Sequence, residues 1–193
     1  TTTGKWNIIN ELVCFDMGVM RFSELLRGEI AKVYKGFDIM IYGDPSGDFR
    51  SQTDERTPFQ IMRTFGLKAV PAPSNDVALR IEAVDSTLSR LVDGQAGFNM
   101  NTECINLKKG FNGGYHYRRL QTSGDRYDEK PLKNRYSHVH DALQYLMMGA
   151  GEGRTMMTGK NPSKPTIAKK EWDVFAGQSK KARKVWDLFK RNG

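Results

Sequence analysis

Apolar and polar positions alternate in blocks along the chain, and each block predicts an element. Trp6 to Phe15 (WNIINELVCF) mixes β-branched and aromatic residues after a Gly4-Lys5 turn. It reads as a strand and can be the second arm of a hairpin whose partner lies upstream. From Val19 to Tyr34 the apolar residues Phe22, Leu25, Leu26, Ile30 and Val33 recur at helical spacing, and Gly36 closes the segment. Asp38 to Gly47 is a short apolar run that stops at Gly43-Asp44-Pro45, as a buried strand does where an acid emerges. A second helix is predicted from the Thr57-Pro58 pair to Phe65, with Gly66 as its stop, followed by a strand over Leu67 to Ala72.

Ser74 or Asn75 is placed to cap a third helix with the stripe Val77, Leu79, Ile81, Val84, Leu88 and Leu91, ending at Asp93-Gly94. The centre is less regular: a short strand at Gly97 to Asn99, a short helix at Thr102 to Lys109, and a strand in GGYHYRRLQ. Ser123 to Ser137 reads as polar loop, after which Ser137 is placed to cap a helix reaching about Met148. Strand and helix alternate, which predicts an α/β fold with a largely parallel sheet at its centre. Residues 1–150 form the predicted domain and 151–193 a linker and basic tail, with a short amphipathic helix in KKARKVWDLFKRN.

Charge sharpens this division. The 193 residues carry 30 Lys and Arg against 22 Asp and Glu, a net charge of +8. Ten basic and three acidic residues lie between Gly159 and Gly193, so the body is close to neutral. A basic excess favours a polyanionic partner, nucleic acid before membrane. No apolar stretch approaches the roughly 18 residues of a membrane span. Cys14 and Cys104 match no metal spacing, which suits a reduced intracellular chain.

Three features bear on chemistry. Asp44 stands at the end of a predicted buried strand, where open α/β sheets place ligands; an Asp-Pro-x-Gly turn explains it equally well. Asp141 lies in the first turns of an otherwise apolar helix, so it needs a partner or a metal, or it simply favours the helix N-terminus. Two carboxylates with no cysteine pair suit Mg²⁺ or Mn²⁺. Such a pair can hold two divalent ions, one activating a water and one stabilising the leaving oxygen of a phosphodiester. His138, one turn before Asp141, reads as a ligand, a residue orienting a ligand, or a phosphate contact, and His140 as packing or surface. Finally, LKKGFNGGYHYRR sets Lys108, Lys109, His116, Arg118 and Arg119 among Phe111, Tyr115 and Tyr117, a pattern of phosphate contacts and stacking rings or of an ordinary exposed strand. Asp48, Asp54, Glu82 and Asp85 read as loop or solvated positions. Asp76 reads as near the site or as a helix cap. No Walker-type phosphate loop occurs, so no nucleotide site is expected.

In this order IYGDPSGDFRSQTDERT, NDVALRIEAV, RLVDGQAGF, KKGFNGGYHYRR and KNRYSHVHDALQYLMMG resemble the C-terminal nuclease domain of the large terminase subunit of tailed bacteriophages, over about residues 6 to 150. The last segment is the most specific. The resemblance implies an RNase H-like fold and a two-metal endonuclease that cuts concatemeric double-stranded viral DNA during packaging in the host cytoplasm. Of the family's three acids, Asp44 matches the second and Asp141 the third. The first is expected just upstream of Thr1, with the packaging ATPase domain before it. Portal protein and the small terminase subunit are the implied partners, and Trp186, Leu188 and Phe189 of the tail suit a portal contact. The competing readings are another RNase H-like nuclease such as a junction resolvase, and a non-catalytic DNA- or portal-binding module.

Overall fold

The computed structural model describes residues 4–48, 56–120 and 126–153. In chain order the elements are β1 (Trp6–Ile8), α1 (Val19–Val33), β2 (Met40–Gly43), α2 (Pro58–Thr64), β3 (Lys68–Pro71), α3 (Val77–Leu88), β4 (Leu91–Val92), β5 (Gln95–Ala96), β6 (Phe98–Met100), α4 (Ile105–Lys109), β7 (Tyr117–Arg119), β8 (Tyr127–Pro131) and α5 (Ser137–Gly149). A 3₁₀ turn, Pro45–Asp48, follows β2, and a wider turn, Gly110–Gly114, extends α4. The class is mixed α/β. The described strands pair two by two, β1 with β6 and β2 with β3 in parallel, β4 with β5 and β7 with β8 antiparallel.

The β2–α2–β3 unit follows from local signals. A parallel pair needs a crossover, and α2 supplies it. Thr57 and Gln60 form a reciprocal capping box with Pro58 in the first helical turn, and Gly66 ends the helix at φ 78°. Phe59, Met62, Leu67 and Ala69 then bury against Val19, Leu26, Ile30 and Ile41. Leu25 and Val33, expected on the same stripe of α1, are exposed instead. The second core gathers Trp6, Ile8, Ala83, Val84, Cys104, Leu107, Leu143, Met147 and Met148 between α3, α5 and the β1–β6 pair.

Several predicted boundaries move. Regular pairing of the Trp6–Phe15 run stops at Ile8, and the described partner of β1 is β6. Glu11 explains the early stop: its carboxylate accepts from the backbone amides of Asn106 (2.7 Å) and Leu107 (3.0 Å), which pulls the chain towards the start of α4. α3 ends at Leu88, three residues short of the last apolar position of the predicted stripe. Leu91 and Val92 turn back onto Gln95 and Ala96 through Asp93-Gly94, both at positive φ, the backbone that a two-residue hairpin requires. Asp76, rather than Ser74 or Asn75, caps α3 by accepting from Leu79 N at 2.9 Å. β8 lies inside the segment expected to be loop. Ser137 is not the cap of α5: Asn134 Oδ1 accepts from the amides of Tyr136 and Ser137, while the buried Ser137 hydroxyl donates to Asn134 O at 2.8 Å.

Two contacts set α5 against the rest. At Gly149 a Cβ would lie 2.1 Å from Tyr42 Cδ1, so glycine is what lets the end of α5 press onto β2. Gly149→Ala is expected to destabilise the protein by about 1–3 kcal/mol through overpacking, read as a lower urea midpoint at unchanged slope. Beyond the helix, buried Glu152 accepts from Arg90 Nη1 (2.9 Å), Arg90 Nη2 (2.7 Å) and Trp6 Nε1 (2.8 Å). Burial pushes the Glu152 carboxyl up, but the bonds from Arg90 and Trp6 outweigh it and hold it below the usual 4.5. A carboxyl depressed on folding contributes stability that is complete above its unfolded value and disappears as pH falls through the folded value. The wild type is therefore expected to lose stability below about pH 4.5, and Glu152→Gln to flatten that limb in melts recorded from pH 7 to 3.

Among the described residues no helix is long and apolar enough to cross a membrane. The basic tail and its expected amphipathic helix lie outside the described residues, as does Asp54.

Candidate functional site

Asp44 leaves β2 at its carboxyl end and is half-buried. The turn reading of this residue is realised: Oδ1 accepts from Ser46 N at 2.8 Å, and Asp44 O accepts from Gly47 N at 2.9 Å. Gly43 and Gly47 let the turn rest on the Phe59 ring, where a Cβ at either position would stand 3.2 Å from ring carbons. Asp44 also faces inward. Burial raises its carboxyl, but Ser46, the Tyr145 hydroxyl and the charge of Arg80 together lower it below the usual range.

Asp141 approaches the same place from α5. Arg80, on α3, places its guanidinium 4.4 Å over the Tyr145 ring and donates from Nη1 to Asp141 Oδ1 at 3.3 Å. Lys133 donates to Asp141 Oδ2. Tyr145, one turn after Asp141, has one hydroxyl proton, which Asn75 Oδ1 takes at 2.5 Å and for which Asp44 competes. Burial and the neighbouring Asp44 raise the ionisation of this hydroxyl well above that of an ordinary tyrosine. The two carboxylates expected to act together are thus linked through Arg80 and Tyr145.

Their chemistry suits a hard divalent ion, since both offer carboxylate oxygen and Mg²⁺ usually keeps several waters. Their number is small: among the described residues no three His, Cys, Asp or Glu side chains converge. Each carboxylate also has partners from the protein itself. Arg80, Tyr145, Lys133 and Asn75 had not stood out in the sequence as parts of a site. The available signal for Arg80 was its spacing, since it falls one turn before Val84 and on the face shared with Ala83 and Thr87, all of which are buried.

The two histidines of α5 part company. His138 is exposed and borders a cleft with Cys14, Phe22 and Leu146, and no hydrogen bond joins it to Asp44 or Asp141 among the described residues. His140 is buried, stacked on Tyr115 at 4.7 Å and 4°, edge-on to Phe111, with Nε2 3.2 Å from Leu107 O. Burial keeps it neutral to lower pH than an ordinary histidine, with the Leu107 carbonyl acting in the opposite direction. Gly110 makes room for it: a Cβ there would stand 1.9 Å from His140 Nε2. His140 is a packing residue.

The four expected phosphate contacts are exposed. Lys108 and Lys109 end α4; Arg118 and Arg119 follow the Gly110–Gly114 turn on β7, and Arg118 lies 3.3 Å from Asp128 of β8. Tyr117 and Tyr127 are exposed on the same hairpin, whereas Tyr115 is drawn against His140 and the Gln144 amide. Asp48, Glu82 and Asp85 are exposed, as expected, and Asp76 serves as a cap. Comparison with protein-family models, curated proteins and solved structures finds no match to the chain.

Proposed function

We propose that the chain is the nuclease part of a terminase large subunit, with an RNase H-like fold, and that it cleaves double-stranded DNA with Mg²⁺ or Mn²⁺ held on Asp44 and Asp141. The observation that carries this reading is the convergence of a strand-end carboxylate and a helix-borne carboxylate, far apart in sequence, on one arginine and one tyrosine. The chemistry supplied by divalent ions held there is activation of a water against phosphorus and stabilisation of the leaving oxygen. Arg80 and Tyr145 hold the two carboxylates in place. Lys108, Lys109, Arg118 and Arg119 bind the DNA backbone, and the exposed Tyr117 and Tyr127 rings support it. Portal protein and the small terminase subunit are the proposed partners, by resemblance alone.

A second reading, a non-catalytic DNA- or portal-binding module, is favoured by the internal partners of both carboxylates: Ser46 completes a turn on Asp44, and Arg80 and Lys133 neutralise Asp141. Nicking of supercoiled plasmid with Mn²⁺ separates the two. It should be run on the 193-residue chain and on a polypeptide extended upstream through the expected first strand, each beside its Asp141→Asn variant. Metal-dependent cutting that vanishes in the variant supports the nuclease. Folded protein that binds DNA and cuts in neither form supports the binding module.

A further inference from the structure

The two cations on Asp141 differ in what it takes to move them. The side chain of Arg80 is 6% exposed and that of Asp141 16%, whereas that of Lys133 is 68% exposed. Withdrawing the guanidinium would strand a buried charge beside a half-satisfied carboxylate, a costly change. Withdrawing Lys133 returns a compact, strongly hydrated ammonium on a flexible stem to water, at little cost. Exchange of a cation on this carboxylate therefore costs less at Oδ2, where Lys133 sits, than at Oδ1.

The charges point the same way. Asp44 and Asp141 are balanced by Arg80 and Lys133, so the four side chains together are neutral. A divalent ion that replaces Lys133 on Oδ2 without removing the lysine from the neighbourhood turns the site cationic, which favours a phosphate. Lys133 follows β8 closely in the chain, next to the hairpin that carries Arg118 and Arg119.

We propose that Lys133 is a displaceable counter-ion: its ammonium occupies Asp141 Oδ2 until a divalent cation replaces it, and the freed lysine then joins the cations that face DNA. The inference rests on the nuclease reading. Mn²⁺ binding to the 193-residue protein, measured by titration calorimetry at low salt, tests it without any cutting. Lys133→Met and Lys133→Gln are expected to bind Mn²⁺ about two- to fivefold more tightly than wild type, the range for an exposed ion pair. Lys130→Met, which removes an exposed cation of β8 that does not touch Asp141, is expected to leave the affinity unchanged. Binding that weakens in Asp141→Asn but does not tighten in either Lys133 variant overturns the displacement and leaves the metal site standing. Equal tightening in Lys130→Met also overturns it, because a general field would then account for the gain. Absence of Mn²⁺ binding, or binding indifferent to Asp141→Asn, removes the metal reading and this proposal with it.

Discussion

Asp141→Asn is expected to lower Mn²⁺-dependent plasmid nicking by at least about 100-fold, the usual scale for losing a charged group that stabilises a transition state. Asp44→Asn is expected to match it. The amide keeps the size and one oxygen of the carboxylate but offers a divalent ion no negative charge. Binding of DNA should change little, because Lys108, Lys109, Arg118 and Arg119, the proposed phosphate contacts, are remote in sequence from both substitutions. A filter-binding curve beside the nicking assay makes the distinction. Cutting at the wild-type rate in either variant would refute the metal roles, and parallel loss of cutting and binding would point to damage to the fold.

Arg80→Ala carries the largest expected effect on stability. The side chain is buried between α3 and α5, pairs with Asp141, and covers the Tyr145 ring. Its removal deletes the fixed partner of a carboxylate that is 16% exposed and leaves only the exposed Lys133 on it. Breaking a buried pair from one side costs about 3–5 kcal/mol. For a chain of this size that is a fall in melting temperature of roughly 6–20 °C. The double variant Arg80→Ala with Asp141→Asn is expected to recover part of the loss, because the stranded carboxylate is then neutral. A double-mutant cycle in urea reads the coupling directly, and strict additivity of the two losses would show that Arg80 stabilises by packing alone. The Nε of Arg80 is buried and has no hydrogen-bond partner among the described residues, and the guanidinium meets Asp141 through Nη1.

The legible parts of the fold are those whose signals are local. The Thr57-Pro58 start of α2, the glycine stops at Gly36 and Gly66, and the short apolar runs of β2 and β3 depend on neighbours within a few residues, and all lie where those local signals put them, although β2, expected to be buried, is only partly so and starts at the exposed Met40. β7 lies within the strand expected in GGYHYRRLQ, but its partner β8 falls in a segment that reads as loop, because most of β8 is exposed and no apolar alternation marks it. The overlong reading of α3 has a related cause. Leu91 continues the helical stripe in sequence, yet it is 73% exposed on a hairpin whose Asp93-Gly94 turn also fits a helix end in sequence.

The candidate site divides along the same line. Sequence placed Asp44 at a strand end and Asp141 near a helix start, because the edge of an apolar run is a local property. It also supplied both bland readings, a turn and a helix-terminal charge. Tertiary structure alone decided that the two residues share partners, since Arg80 reaches Asp141 across the packing of α3 on α5, and Tyr145 reaches Asn75 from the same helix. It likewise decided that His140 packs inside while His138 lies outside, two positions that sequence separates by a single residue. Periodicity records which face of an element is apolar; which face meets which neighbour depends on close approaches such as Gly149 on Tyr42 and Gly110 beneath His140, and those exist only once the elements have packed.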